Sequence, residues 1–181
     1  MAVKFVGLSG LSLAFKATPK QVLRATRNTI DRSVTFARKT AVNTIHADLK
    51  LKKKLLRDRL PTTRTRQNSL TGAVSSNNKQ LPMSVYKIKK TRISKTRVAV
   101  AVKDTLFGPV RRSSSAFINP KHSAKRALRR VKGADRLPLD LPAGPSVSVQ
   151  FGILLNDAAY QRQVNAFISA EAARQLRRQI K

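Results

Sequence analysis

Residues 50–66 read KLKKKLLRDRLPTTRTR. Lys50, Lys52, Lys53, Lys54, Arg57, Arg59, Arg64 and Arg66 are all cationic, and Asp58 is the one carboxylate among them. Cations at this density suit one chemistry, which is contact with successive phosphate oxygens. Each neutralised phosphate releases counterions, so binding is strong at low salt and carries little sequence information. At 3.6 residues per turn Lys50, Lys53, Lys54 and Arg57 fall on one arc, with Leu51 and Leu55 across from them. The pattern predicts an amphipathic basic helix, ended by Pro61. It also fits a solvated helix face. A second basic patch combines Arg111 and Arg112 with residues 121–132, and there a charged sheet edge that blocks edge-to-edge pairing is an equal reading.

Other chemistry has little to stand on. The chain has two histidines, His46 and His122, and eight carboxylates scattered along 181 residues. None has metal-ligand spacing, and both histidines read as packed or solvated side chains. Gly7-Leu8-Ser9-Gly10 fails the phosphate-loop and dinucleotide patterns, and no nucleophile elbow is present. No enzyme activity, cofactor or metal is expected. With no cysteine there is no disulfide framework, Cys-based zinc site or thiol catalysis.

The charge balance points the same way. Against 38 Lys+Arg stand 8 Asp+Glu, a net charge of +30. That much charge repels itself unless nucleic acid, an acidic protein or an anionic membrane covers it. The excess is local. Residues 47–66 hold 8 cations and 2 anions, and residues 87–132 hold 15 and 1, whereas residues 133–181 hold 6 and 4. Patchiness favours a binding surface over general solubilisation. Aromatics are only 5% and do not interleave with the basic runs, so a base-stacking platform is not expected. Residues 49–60 also lack the aromatics that anchor a helix in headgroups. Residues 1–15 are too interrupted by Gly and Ser for a signal peptide, and no run is long enough to span a membrane.

The elements that must position these cations can be read in order. Thr18-Pro19-Lys20-Gln21 is a capping box with proline at the first helical position. Leu23, Ile30, Val34, Ala37, Ala41 and Ile45 then form one stripe, predicting a helix from 19 to about 48, with Ala37 and Ala41 allowing a close neighbour. The polar stretch 61–82 reads as a loop or mobile arm. Alternation predicts strands at 83–88 and 97–102, with 89–95 as a basic hairpin connection. A strand follows at 115–119, and 124–131 fits strand or helix. Ser146 could cap a helix over 147–155, although that stretch also alternates like a strand. A last helix begins near Asn156. The sum is a single α+β domain over residues 1–181: a long N-terminal helix and a C-terminal helix packed on a small, mostly antiparallel sheet, with the basic helix and arm at about 49–82.

In this order the features resemble the minor tail protein Z family, the tail completion proteins of long-tailed bacteriophages. Four stretches carry the resemblance. They are the helix Ala25-Thr26-Arg27-Asn28-Thr29-Ile30 with the basic Lys52-Lys53-Lys54-Leu55-Leu56-Arg57-Asp58-Arg59-Leu60; Ala116-Phe117-Ile118; Leu128-Arg129-Arg130-Val131; and Leu137-Pro138-Leu139-Asp140-Leu141-Pro142-Ala143-Gly144-Pro145-Ser146-Val147. The tip at 119–123 lacks the family's usual glycine, and Pro142-Ala143 stands where an aromatic precedes Gly-Pro-Ser. The resemblance implies a non-enzymatic virion protein at the head-proximal end of the tail, assembled in the host cytoplasm and helping to seat the DNA end. It implies tail terminator, tail tube and connector proteins as partners, a homo-oligomeric ring, nonspecific contact with genomic DNA and no membrane role. The alternative is a stand-alone, nonspecific nucleic-acid-binding protein of ribosomal or nucleoid type.

Overall fold

The computed structural model describes residues 18–66, 69–86, 88–92, 98–102, 111–113, 116–118, 127–131, 133 and 137–180; for 88–92, 98–102 and 111–113 it describes the backbone alone. Residues 3–15, which read from the sequence as a short strand or strand-like lead-in, lie outside these residues. Helix α1 runs Pro19–Leu49, α2 Lys53–Arg59, α3 Val147–Leu155 and α4 Ala158–Ile180. Among the described residues eight short strands lie between α2 and α3: β1 Thr62–Thr63, β2 Ala73–Val74, β3 Ile88–Arg92, β4 Val98–Val102, β5 Arg111–Ser113, β6 Ala116–Ile118, β7 Ala127–Arg130 and β8 Leu139–Asp140. The class is α+β, as the pattern predicts. Pairing is antiparallel throughout, but it is divided among three small sheets, β1-β2, β3-β4-β5 and β6-β7-β8.

Helix α1 starts where the capping box places it. The Thr18 N–H donates to Gln21 Oε1 at 2.9 Å, and Pro19 occupies the first turn, where no backbone donor is missed. Its buried stripe is Ala25, Ile30, Val34, Ala37, Ala41, Val42, Ile45 and Leu49. Leu23, assigned to that stripe by spacing, is 39% exposed.

Helices α1 and α4 form the frame. Their contacts run in antiparallel register: Gln21 Nε2 donates to the Gln179 carbonyl at 2.6 Å, Arg32 pairs with Glu171 at 3.3 Å, and the Phe36 and Phe167 rings stack with centroids 4.0 Å apart. Further along, the Tyr160 hydroxyl donates to the Ala37 carbonyl at 3.1 Å. Each advance along α1 is met by a retreat along α4, as antiparallel helices require. Ala37 and Ala41 are fully buried, and their small size permits the close approach. Burial pushes the Tyr160 phenol up to about 12, so it stays a protonated donor.

The stretch 61–82 folds back onto α1. The Thr65 N–H donates to Asp31 Oδ1 at 2.9 Å, and Ser75 N–H donates to the Pro61 carbonyl at 3.0 Å. Gly72 lies against Ile30 and Val34 so closely that an added Cβ would sit 2.7 Å from a methyl of each. The strand predicted at 83–88 is instead a 3₁₀ turn, Met83–Val85, and pairing begins only at Ile88. The Met83 N–H goes to the Pro142 carbonyl at 2.7 Å and the Gly144 N–H to the Leu81 carbonyl at 2.8 Å, a single antiparallel bridge at Pro82 and Ala143. Residues 89–92 belong to β3, not to a connection, and 93–95 lie outside the described residues. Segment 127–130 resolves as strand and 147–155 as helix. In α3 Val147, Phe151 and Leu154 are buried at helical spacing, which overrides the local alternation. Ser146 holds the N-cap position, but its hydroxyl makes no capping bond; its carbonyl accepts from Gln150 N–H at 3.2 Å.

Glu171 is buried in the frame and bound by Arg174 at 2.8 Å and Gln175 at 2.6 Å. Burial pushes its carboxyl up. The bonds from Arg174 and Gln175, with the charges of Arg174 and Arg32, outweigh that and hold it below its ordinary value. A carboxyl depressed on folding stabilises above its unfolded pKa, and that stability is lost as pH falls through the lower folded value. Thermal melts from neutral to acid pH therefore show a fall in midpoint at and below the usual carboxylate range, and Glu171→Gln flattens it. Gly72→Ala is expected to cost about 1–3 kcal/mol, because the methyls it meets belong to β-branched side chains stiff in a helix; urea unfolding measures it.

Candidate nucleic-acid interface

Helix α1 does not run on into the basic segment. Lys50 takes a left-handed conformation, with φ at 53°, and its N–H returns to the His46 carbonyl at 3.0 Å. That ends the helix in the manner usually given to glycine. His46 Nδ1 lies 2.6 Å from the Leu51 carbonyl, so the ring clasps the link between α1 and α2. This fits the packed reading of His46. His122 lies outside the described residues.

Helix α2 starts after Lys52 and stops at Leu60 before Pro61. Leu51, Leu56 and Leu60 are fully buried, while Leu55 is half-buried. The apolar anchor is therefore the i, i+4 pair Leu56 and Leu60, with Leu51 reached by the turn, rather than the Leu51 and Leu55 arc of one continuous helix. Lys50 leaves the helical arc for the same reason. Lys52, Lys53, Lys54 and Arg57 are exposed, and Arg59 is half-buried. In the following loop Thr65 is tied down by Asp31, which leaves its neighbours Arg64 and Arg66 exposed on either side. Reciprocal backbone bonds between Arg66 and Ser69, 3.1 and 3.2 Å long, close the turn.

None of these eight cations enters an ion pair among the described residues. The pairs that form are Arg32–Glu171, Arg174–Glu171 and Arg129–Asp140. Asp31 is engaged by Thr65, and Asp58 stands alone among the basic side chains of α2. Lys53 and Lys54 also occupy the first turn, the end of a helix that favours anions. This surface is therefore not arranged for the protein's own stability.

Sequence reasoning missed two cations on α1. A groove of about 220 Å³ between α1 and α2 is lined by Thr35, Arg38, Lys39, Val42, Asn43 and Arg57. Arg38 Nη2 donates to the Arg57 carbonyl at 2.7 Å and so satisfies a carbonyl at the end of α2. Thr35, Arg38, Lys39 and Asn43 recur at helical spacing and mark this flank of α1, beside the buried Val42. The approach of Arg57 depends on the turn at Lys50, which has no such signal.

Arg111 and Arg112 are not brought into this surface by any described contact. They lie in β5, the edge strand of the β3-β4-β5 sheet, opposite Val102 and Ala101, and their side chains are outside the described residues. Residues 121–126 and 132 of the second patch are also outside. Among the described residues no three His, Asp or Glu side chains gather to hold a metal. Among the described residues no helix is long and apolar enough to cross a membrane.

Comparison with family models, curated proteins and solved structures finds no match for this chain.

The turn at Lys50 permits charge and fold to be separated. Lys50→Gly removes a cation and relieves a left-handed residue, so it is expected to hold or raise stability, by up to about 1 kcal/mol, in chemical unfolding.

Proposed function

We propose that this chain is a structural nucleic-acid-contacting protein, a tail-completion-like component placed where a DNA end must be seated. Its cations at 50–66 meet backbone phosphates without reading bases. One observation carries the reading: exposed lysines and arginines are held on fully buried leucines, and no ion pair among the described residues neutralises them. A flexible basic tail would lose entropy on binding, whereas α2 is already ordered against α1 and loses less. The contacts are those of a lining or docking surface, since phosphate bonds fix position and carry no direct sequence information. The resemblance to tail completion proteins supports the setting, in which DNA or acidic partner proteins would keep such charge covered.

Two measurements test this. In duplex binding at several salt concentrations, Lys52→Gln/Lys53→Gln/Lys54→Gln is expected to lower the log–log salt slope by about 2.7, at roughly 0.9 per phosphate contact. An unchanged slope counts against phosphate contact at α2. Reversing the same three lysines to glutamate in the producing phage, with the fold checked by circular dichroism, should yield particles that fail to seat DNA. Normal assembly and infection would remove the tail-completion reading.

A further inference from the structure

The basic surface is not uniform. Arg38, Lys39 and Arg57 converge on the 220 Å³ groove, and no carboxylate lines it. None of the three is ion-paired among the described residues. Gathering three cations is unfavourable unless something anionic offsets it. Solvent screening reduces that cost along the open face of α2, and less so within a groove.

The donors in the groove are also held in place. One arm of the Arg38 guanidinium is fixed by its 2.7 Å bond to the Arg57 carbonyl, which constrains the planar fork and leaves further N–H groups unspent. Its Nε is buried and has no hydrogen-bond partner among the described residues. The Asn43 carboxamide makes no hydrogen bond among the described residues and lines the same groove. The Thr35 hydroxyl is already spent on the Asp31 carbonyl at 2.8 Å, so it fills space rather than contributing a donor. Two guanidinium groups, an ammonium and a carboxamide around a space of this size match a tetrahedral oxyanion, which accepts several charge-assisted bonds at once.

We infer that the α1–α2 groove is a discrete phosphate seat, formed by Arg38, Lys39, Asn43 and Arg57. It deepens the phosphate-contact reading by giving it a fixed point, around which the cations of α2 act as a diffuse field. The seat takes the phosphate group either as one phosphodiester of a nucleic-acid backbone or as free phosphate, and the experiment separates the two.

The test uses the full chain and two double variants of equal charge loss. Lys39→Gln/Arg57→Gln empties the groove of two cations whose side chains make no bond among the described residues, which spares the fold. Lys20→Gln/Arg178→Gln is the control; Lys20 lies roughly 28 Å from Lys39 along α1. Backbone amide spectra are followed while inorganic phosphate replaces chloride at constant ionic strength. Saturable shifts at residues 35–43 and 57 in wild type and control, lost in the groove variant, are expected. Shifts that never saturate, or that persist in the groove variant, overturn the seat. Affinity for a short mixed-sequence duplex is then compared. A loss in the groove variant about tenfold beyond the control identifies a backbone phosphodiester as the occupant. Saturable phosphate binding with equal duplex losses identifies free phosphate. If wild type binds phosphate in the groove but no duplex at all, the seat stands and the nucleic-acid reading fails.

Discussion

The antiparallel seam between α1 and α4 is the interaction on which the rest of the structure depends. Uncharged contacts build it: the fully buried Ala37 and Ala41, the stacked Phe36 and Phe167, and the Tyr160 hydroxyl on the Ala37 carbonyl. Its buried Glu171 is matched by Arg32 and Arg174. Helix α2, the 61–82 stretch and α3 all pack on α1, and none of them needs the exposed cations for its own packing.

That separation explains how a chain of net charge +30 folds without its charge being neutralised internally. The share of that charge on 50–66 lies on the outward side of α2 and the neighbouring loop, where solvent and salt screen it. The leucines at 51, 56 and 60 hold the segment from beneath. The fold therefore presents charge rather than consuming it. In the α1–α2 groove cations converge where water screens less, and there the geometry narrows from a field to a seat.

Much of this was legible in the residues. The start of α1 follows from Thr18, Pro19 and Gln21, and its length from the unbroken stripe and the absence of Gly or Pro. The C-terminal helix and the α+β class follow from periodicity alone. What stayed hidden depends on contacts distant in sequence. Lysine has no special preference for the left-handed region, so the break at Lys50 gave no signal, and the basic arc was drawn with one residue too many. The 3₁₀ turn at 83–85 forms because Met83 is bonded to Pro142, far along the chain. Alternation over 147–151 mimicked a strand until packing favoured Val147, Phe151 and Leu154. Nothing in the spacing of Arg38 and Lys39 sets them apart on α1; their place in the groove arises from Arg57, nineteen residues beyond Arg38, through that same unsignalled turn.

The central claim is that the exposed cations of 50–66 meet phosphate directly. Acylation footprinting of the full chain, free and bound to mixed-sequence duplex, tests it at single lysines. The account predicts protection of Lys50, Lys52, Lys53 and Lys54 on binding, reversed by added salt, while Lys20 at the far end of α1 keeps its reactivity. Equal reactivity of Lys52, Lys53 and Lys54 with and without bound duplex would contradict it.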